Sequence, residues 1–293
     1  MTLAEALYGA TRTLAMHGFE EPRLESEMLL MHLLGIGRVE LYLRLEESIA
    51  PEHLKGLRGL VERRARYEPM AYIVGHREFF GLDFLVDRRV LIPRPESELL
   101  VERAIAFVRG QAHTAGCLIA DVGTGCGAIA VALAVNLPLA KVYATDISPA
   151  ALEVTAHSAR KHGVEARVAL LQGDMLEPLP EPVQLIVANL PYVKDGELPR
   201  LSPQVYLFEP ALALAGGVGG LDKIEGLLSQ AGLKLLPGGG LIFEIGHDQG
   251  QAAAELARRY FTEAGVEVLT DLGGRCRAVC IETKKKEAPS CSR

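Results

Sequence analysis

The sequence predicts an α/β fold, in which a doubly wound, mostly parallel sheet follows a small N-terminal helical bundle and a linking β-hairpin. Three observations predict it. From residue 117 onward, strand-like apolar runs alternate with helical patterns, which is typical of a parallel sheet with helices on both faces. The first 75 residues show helical periodicity. A phenylalanine-rich segment around a glycine turn joins the two regions.

These patterns divide the chain into four parts. The N-terminal part is predicted to hold three to five helices, because apolar residues recur there in stripes at helical spacing. It is interpreted either as a partner-docking module or as a stabilising cap on the main domain. The predicted parts are a helical bundle at 1–75, a hairpin linker at 76–92, an α/β domain at 93–282 and a flexible tail at 283–293.

Within the α/β domain, helical patterns and strand-like runs alternate. Helices are predicted at 97–108, 127–136, 149–162, 220–235 and 248–259, and strands at 117–122, 141–145, 166–171, 184–188, 239–245, 265–270 and 277–282. Only the short segment "LGGRCR" separates the last two strands. We therefore predict that they pair antiparallel at an edge of the sheet.

Composition and charge argue against several classes of protein. The 293-residue chain has 49% hydrophobic residues and a formal net charge of −6, which disfavours nonspecific nucleic-acid binding but permits docking to a basic protein. Its five cysteines form no C-x-x-C pair and no zinc-spaced cluster, so we expect reduced thiols, a cytoplasmic protein and no metal site. We predict no signal peptide, no membrane span and no direct nucleic-acid binding.

A glycine-rich turn follows the first strand of the domain, in "IADVGTGCGAIAVALA" (119–134). Gly123, Gly125 and Gly127 permit tight turns and close approach of a ligand, and Thr124 and Cys126 lie between them. The spacing fits the dinucleotide fingerprint of nicotinamide enzymes, and it equally resembles the first motif of class I S-adenosylmethionine-dependent methyltransferases. Glycines that merely allow a strand-to-helix turn are a third interpretation, so the loop alone leaves the ligand open.

Acidic residues end the next two strands. Asp146 closes "KVYATD", where a carboxylate can accept hydrogen bonds from both ribose hydroxyls of an adenosine, although it can also cap the helix that follows Ser148. Asp174 ends the next strand in "LLQGDML". In methyltransferases that position lies beside the adenine, and Met175 can pack on the ring. A Gly-Asp pair is also a common turn.

The fourth strand ends in "NLPY", at the edge where open α/β sheets place their ligands. Asn189 offers an acceptor and a donor, which match a planar amide or the amino edge of a base. Pro191 biases Leu190 away from helical geometry, so that backbone carbonyls can turn inward. Tyr192 offers a flat face for stacking. A turn with a buried tyrosine is the alternative interpretation.

Such a corner suits methyl transfer to a poorly nucleophilic nitrogen. The lone pair of an amide or an exocyclic amine is delocalised. Hydrogen bonds from its two N–H groups to Asn189 Oδ1 and the Leu190 carbonyl would orient the nitrogen and favour its pyramidalisation as positive charge grows. This is positional and electrostatic catalysis without an obligatory strong base.

With these features in place, the chain resembles the HemK/PrmC family of release factor glutamine N5-methyltransferases over about residues 70–282. "NLPY" is similar to the Asn-Pro-Pro-Tyr motif of amino-methyltransferases. The other segments that carry the resemblance are "FFGLDFLVDRRVLIPRPESELLVE" (79–102), "DVGTGCGAIAVALA" (121–134), "ATDISPAALEVTAHSARKHG" (144–163) and "FEPALALAGGVGGLD" (208–222). The resemblance implies a class I methyltransferase with a Rossmann-like sheet.

The resemblance also implies a reaction and a site. S-adenosyl-L-methionine would methylate the glutamine side chain of the Gly-Gly-Gln motif in class 1 peptide chain release factors. By position, cofactor contacts fall to Gly123, Thr124, Gly125, Cys126, Gly127, Asp146, Asp174, Met175 and Asn189, and glutamine binding and catalysis to Asn189, Leu190, Pro191 and Tyr192. The chain departs from the family pattern at Leu190, in place of a proline, and at Cys276, where the family usually has aspartate.

The residues themselves leave other functions open. An NAD-dependent oxidoreductase uses the same glycine loop, but the chain shows no evident proton relay for hydride chemistry. A nucleic-acid amino-methyltransferase would share the corner, yet it would want a basic groove or a target-recognition domain. A non-catalytic binding module would need the loop without a competent corner. Glu96, Glu98 and Glu244 are interpreted as helix-start charges and a strand-end cap rather than as catalytic groups.

Overall fold

The computed structural model describes residues 1–111 and 116–285, and these divide into two packing units. The first unit contains Met1–His76 together with Ser202–Phe208, and the second contains Arg77–Leu201 and the chain from Glu209 onward. Cys291 and most of the predicted tail lie outside the described residues. The predicted division of the chain did not assign residues 202–208 to the first unit, because no sequence pattern distinguishes that segment from its neighbours.

Five helices form the N-terminal part of the first unit. The first helix begins with a capping box. The Thr2 side chain accepts a hydrogen bond from the Glu5 N–H, and the Glu5 carboxylate accepts one from the Thr2 N–H. Two others begin with a proline, which costs no hydrogen bond at that position. The helices are α1 (Leu3–Met16), α2 (Pro22–Leu34), α3 (Arg38–Leu43), α4 (Pro51–Ala65) and α5 (Met70–Val74).

The apolar stripes of these helices form one core. Leu7, Leu14, Leu29 and Leu30 are fully buried in it, and Leu57 and Val61 are nearly so. The helical periodicity of the sequence therefore predicted the correct face of each long helix.

The predicted hairpin is present, over a shorter stretch than residues 76–92. Strands β1 (His76–Phe79) and β2 (Leu82–Leu85) pair, and Phe80 and Gly81 turn the chain with positive φ angles of 52° and 72°. Phe79 packs edge-on against Phe84 with ring centroids 6.2 Å apart, and both side chains are buried.

The second unit contains a seven-stranded sheet in the order β5-β4-β3-β6-β7-β9-β8. Strands β3 to β7 are parallel to one another. Strand β9 is antiparallel to both β7 and β8, which confirms the antiparallel pairing predicted for the last two strands. Its elements are α6 (Glu98–Gly110), β3 (Leu118–Val122), α7 (Ala128–Asn136), β4 (Lys141–Asp146), α8 (Pro149–Lys161), β5 (Val168–Gln172), β6 (Val183–Ala188), α10 (Asp222–Lys234), β7 (Leu235–Glu244), α11 (Gly250–Tyr260), β8 (Gly265–Thr270) and β9 (Cys276–Glu282). The short helix α9 (Pro203–Tyr206) lies in the segment that belongs to the first unit.

The strand order creates a switch point between β3 and β6. From β3 the chain adds β4 and β5 on one side, and it then returns to place β6 on the other side. The connections leave the sheet in opposite directions at this point, so a crevice opens at the carboxyl ends of the strands. The predicted α/β fold with a doubly wound sheet is confirmed.

Strand β7 begins earlier than predicted. It starts at Leu235, directly after α10, whereas the sequence predicted a helix to 235 and a strand from 239. The segment "PGGG" (237–240) is typical of a turn, yet here it is part of the strand. The pairing of β7 with β6 accommodates this segment through a register shift between Val183 and Leu185. Backbone hydrogen bonds also continue past β9, from Thr283 N to Gly239 O and from Gly238 N to Lys284 O, into the start of the predicted tail.

Helix α7 is apolar on all sides. Every residue from Ala128 to Ala134 is buried, since sheet and neighbouring helices cover the whole helix surface. Across residues 1–111 and 116–285, no helix is both long and apolar enough to cross a membrane.

Candidate functional site

A cleft of about 200 Å³ lies at the switch point of the sheet. Its walls come from the loops after β3, β4, β5 and β6, together with the chain between β2 and α6. Most predicted site residues line it: Gly123, Thr124, Gly125, Cys126, Asp146, Asp174, Met175, Asn189, Leu190 and Pro191. Gly127 and Tyr192, which were also predicted, are not among the lining residues.

The glycine loop is held close to the neighbouring strand and helix. Gly123 and Thr124 donate their N–H groups to the Thr145 carbonyl at 2.9 and 3.0 Å. Gly127 adopts a φ of +82° at the start of α7, and a Cβ there would lie 2.8 Å from Thr155 Cγ2. Gly127 therefore allows α8 to pack against the loop, rather than providing a wall of the cleft.

A buried carboxyl lies behind the loop. Asp121 Oδ2 accepts hydrogen bonds from Thr124 Oγ1 at 2.7 Å and from Ala130 N at 3.0 Å, whereas its Oδ1 finds no partner among the described residues. Burial raises the pKa of Asp121 to about 7, against the lowering effect of these hydrogen bonds. Thr124 is thereby fixed through its side chain, and only its remaining surface faces the cleft.

Asp146 is anchored by two backbone amides. Its Oδ2 accepts from Gly125 N and its Oδ1 from Ser148 N, both at 2.9 Å. Ser148 itself is the N-cap of α8 and accepts from Ala151 N at 3.2 Å. The predicted cap role of Asp146 is thus filled by Ser148, while Asp146 joins the glycine loop to the helix start. Its oxygens keep further lone pairs for a ligand hydroxyl.

Asp174 and Met175 form the wall after β5. Asp174 is exposed at the rim of the cleft. Met175 is half-buried with a positive φ of 51°, and its side chain packs against the core of the second unit. The thioether thus presents one apolar face to the cleft, as a flat ligand would require.

The predicted corner is joined to a buried carboxylate, Glu244, which the sequence pattern had indicated as a strand-end cap. Asn189 Nδ2 donates to Ser97 Oγ at 2.9 Å, and Ser97 Oγ donates in turn to Glu244 Oε2. Tyr192 OH donates to Glu244 Oε1 at 3.0 Å. Burial, followed by the nearby Glu244 charge, raises the pKa of the Tyr192 hydroxyl, so that it remains a proton donor.

The three glutamates behave differently from one another. Glu98 accepts from Phe80 N at 2.8 Å and so supports the hairpin turn. Glu96 is exposed, and its Oε1 lies 3.5 Å from Arg277 Nη2. Glu244 was interpreted as a strand-end cap, yet it is 3% exposed and touches the corner. Only its position at the end of β7, next to the switch point, offered a signal in the sequence.

A second buried glutamate shapes the opposite wall. Glu209 accepts from Ile92 N at 3.2 Å and pairs with Arg94. It thereby ties the chain before α6 to the segment that contributes Pro210 and Leu212 to the cleft. No local pattern distinguishes this glutamate from a surface one in the sequence.

Cys126 and Cys276 have different surroundings. Cys126 lines the cleft, but burial raises the pKa of its thiol to about 12, so it is protonated at neutral pH. Cys276 is the first residue of β9. A Cβ on Gly250 would lie 2.8 Å from the Cys276 sulfur, so Cys276 packs against the start of α11.

In the described part of the chain, no group of three or more potential metal ligands occurs.

Two family models and a relative match large parts of the chain. Residues 5–75 match the family model of the PrmC N-terminal domain, and residues 99–205 match that of the methyltransferase small domain. The release factor glutamine methyltransferase of Moorella thermoacetica is 48% identical over 279 residues, which cover 94% of this chain and 97% of that relative.

Two further similarities extend this result. The enzyme of the same name from Geobacter sulfurreducens is 42% identical over 259 residues, covering 88% of this chain and 89% of the relative. A methyltransferase structure from Pyrococcus furiosus has a TM-score of 0.50 at 18% identity, over 70% of this chain and 90% of that chain. The last similarity shows a shared fold alone.

Proposed function

Because the chain belongs to the family of release factor glutamine methyltransferases, we propose that the cleft binds S-adenosyl-L-methionine and that the corner binds the glutamine to be methylated. The chain is an enzyme that methylates the side-chain nitrogen N5 of a release factor glutamine. The finer assignment, to the Gly-Gly-Gln motif of class 1 peptide chain release factors, is part of the proposal. The observation that carries the site assignment is that Asn189 lines the same cleft as the glycine loop and Asp146.

The residues of the cleft fit an adenosine cofactor. Asp146 lies at the end of β4 with lone pairs to spare for ribose hydroxyls, and Met175 presents an apolar surface beyond β5. Gly123 has a φ of +72°, and a Cβ there would come within 3.1 Å of Leu190 Cδ2. A side chain at this position would be strained by the positive φ and would press on Leu190. When bound, S-adenosylmethionine supplies an electrophilic methyl group at this junction.

The chain's own residues then orient the acceptor. Asn189 Oδ1 and the Leu190 carbonyl accept the two N–H groups of the glutamine amide, which fixes its nitrogen and stabilises positive charge on it. Pro191 holds the backbone extended, and the Tyr192 hydroxyl is engaged by Glu244, so the ring is the part of Tyr192 left to contact substrate. No step in this scheme needs a strong base, and Cys126 remains a thiol throughout.

We expect Asp146→Ala to weaken binding of S-adenosylhomocysteine by about 1–3 kcal/mol, the usual cost of losing hydrogen bonds to a charged group. Titration calorimetry measures it. Ser148→Ala is the matched control, because it removes the cap of α8 and keeps the carboxylate; its effect on affinity should be smaller. Equal effects of the two changes would assign Asp146 to local structure alone. Heat from NAD with none from S-adenosylhomocysteine would contradict the cofactor assignment.

Mass spectrometry of a release factor tests the reaction itself. The purified factor is incubated with the enzyme and S-adenosylmethionine, digested, and its Gly-Gly-Gln peptide examined for one added methyl group. Fragmentation must place that group on the glutamine side chain. A substrate in which this glutamine is replaced by glutamate serves as the control. Methylation elsewhere in the factor, with the motif unmodified, would contradict the proposal.

We also propose that the first unit docks the release factor. Its support is the match of residues 5–75 to the PrmC N-terminal family model and the exposure of Val39 and Leu43 on α3. The KM for a whole release factor should then be lower than the KM for a short Gly-Gly-Gln peptide.

We assign the reaction to the cytoplasm, an assignment supported by the free state of the four described cysteines.

A further inference from the structure

Four side chains form a continuous hydrogen-bonded chain behind the cleft. It runs from Asn189 through Ser97 to Glu244 and ends at Tyr192, with N···O and O···O distances of 2.9 Å at the Asn189 end and 3.0 Å at the Tyr192 end. Ser97 and Glu244 are each 3% exposed. The network joins the start of α6, the end of β6 and the end of β7, so three separate segments meet at one carboxylate.

The carboxylate determines the direction of every hydrogen bond in this network. Both oxygens of Glu244 accept in this network, Oε2 from the Ser97 hydroxyl and Oε1 from the Tyr192 hydroxyl, so each hydroxyl uses its single proton on Glu244. The Ser97 oxygen then has only lone pairs left to offer Asn189. It can accept from Nδ2 but cannot donate to Oδ1.

This direction selects one of two amide orientations of nearly equal shape. Within residues 1–111 and 116–285, the Asn189 side chain makes one hydrogen bond, the one from Nδ2 to Ser97. The Asn189 Oδ1 atom therefore stays available to accept a hydrogen bond from a ligand in the cleft that Asn189 lines. A flipped amide would place Oδ1 against the Ser97 oxygen, two acceptors facing each other, and would turn a donor toward the substrate amide.

The surroundings of Glu244 argue against a role in stability. Among the described residues no Lys or Arg nitrogen lies within 4 Å of it; Arg277, the cation nearby, pairs with Asp271 at 2.7 Å and with Glu96 at 3.5 Å. Two hydroxyl donors only partly offset the cost of burying a carboxylate. Burial accordingly raises the pKa of Glu244, and the contribution of this group is to specify the orientation of its neighbours.

We propose that Glu244 is a positioning residue which, through Ser97, fixes the Asn189 amide with Oδ1 toward the acceptor glutamine. The inference rests on the proposed function for its consequence, but the orientation itself is a property of the protein without substrate. The two can therefore fail separately.

The sequence offers a direct observation of this orientation. The chain contains two asparagines, Asn136 and Asn189, so selective ¹⁵N-asparagine labelling gives two side-chain NH₂ pairs in an NMR spectrum. Asn136 Nδ2 donates to Ala132 O at 2.9 Å, far from the site in sequence, and serves as the internal control. Asn189→Ala assigns the other pair by its disappearance.

In Ser97→Ala, the Asn189 NH₂ protons should exchange with water about 3- to 10-fold faster, as expected for one lost hydrogen bond, while those of Asn136 stay unchanged. Glu244→Gln should act in the same direction, because a neutral amide both donates and accepts and no longer dictates the direction at Ser97. Unchanged exchange at Asn189 in both folded variants would overturn the proposal, whatever the activity of the enzyme.

Kinetics test the consequence for catalysis. Ser97→Ala and Glu244→Gln should each lower kcat about 10- to 100-fold, the range typical of residues that orient a functional side chain, with unchanged affinity for S-adenosylhomocysteine. Both losses should disappear in an Asn189→Ala background, since there is no amide left to orient. Equal losses in the parent and in that background would show a general structural effect and contradict the positioning role. A parent enzyme without glutamine methylation would refute the proposed function and leave the exchange result standing.

Discussion

Asn189→Ala is expected to lower the rate of methyl transfer by about 100- to 1,000-fold, or roughly 2.7–4 kcal/mol, the usual cost of one hydrogen bond formed in the transition state. The physical reason is that the alanine variant leaves the acceptor amide with the Leu190 carbonyl alone. Folding should change little, because Asn189 is only half-buried and makes one side-chain hydrogen bond among the described residues. Single-turnover kinetics with a release factor substrate measure the rate apart from product release.

Asn189→Asp is the sharper comparison. It keeps an acceptor oxygen and nearly the same volume, but it loses the donor to Ser97 and brings a second carboxylate toward Glu244. We expect partial activity, above that of the alanine variant and below that of the parent. Circular dichroism should match the parent in both variants. Near-parental turnover by Asn189→Ala would mean that the corner does not hold the acceptor.

Asp121 is expected to make the protein less stable as pH rises toward neutrality. Burial raises its pKa to about 7, from an ordinary value of 3.8. Between these two values the unfolded chain has lost the proton while the folded protein retains it, so unfolding releases a proton and is favoured by higher pH. The contribution is fully present below pH 3.8 and is lost as pH rises through about 7.

Asp121→Asn isolates this contribution. At about 1.4 kcal/mol per pH unit, the free energy of unfolding of the parent should fall by up to about 2.7 kcal/mol relative to the variant between roughly pH 5 and pH 7. Urea unfolding of both proteins without cofactor, followed by circular dichroism, gives the difference, in which the other titrating groups cancel. Parallel stability curves for parent and variant would contradict a raised pKa at Asp121.

Much of the fold could be predicted because local patterns agree with it. The apolar periodicity of α1 reflects one buried face, and the continuous apolar runs of β3, β4 and β6 reflect central strands that are buried on both faces. The early start of β7 was missed because turn propensity at "PGGG" competes with pairing to β6. Only that pairing decides the outcome, and it involves residues about fifty positions earlier.

The sequence by itself determined where the reactive groups lie along the chain. A glycine loop, Asp146 and the "NLPY" corner each follow a parallel strand, and parallel strands bring their carboxyl ends to one edge, so these residues had to converge. The tertiary structure alone decided what stands behind them. Ser97 and Glu209 carry no local signal, and Glu244 shows only its position at the end of a strand, because a serine or glutamate looks the same in sequence whether it faces water or a buried partner. Their roles come from contacts across 92, 117 and 147 residues, which only the packing of the second unit creates.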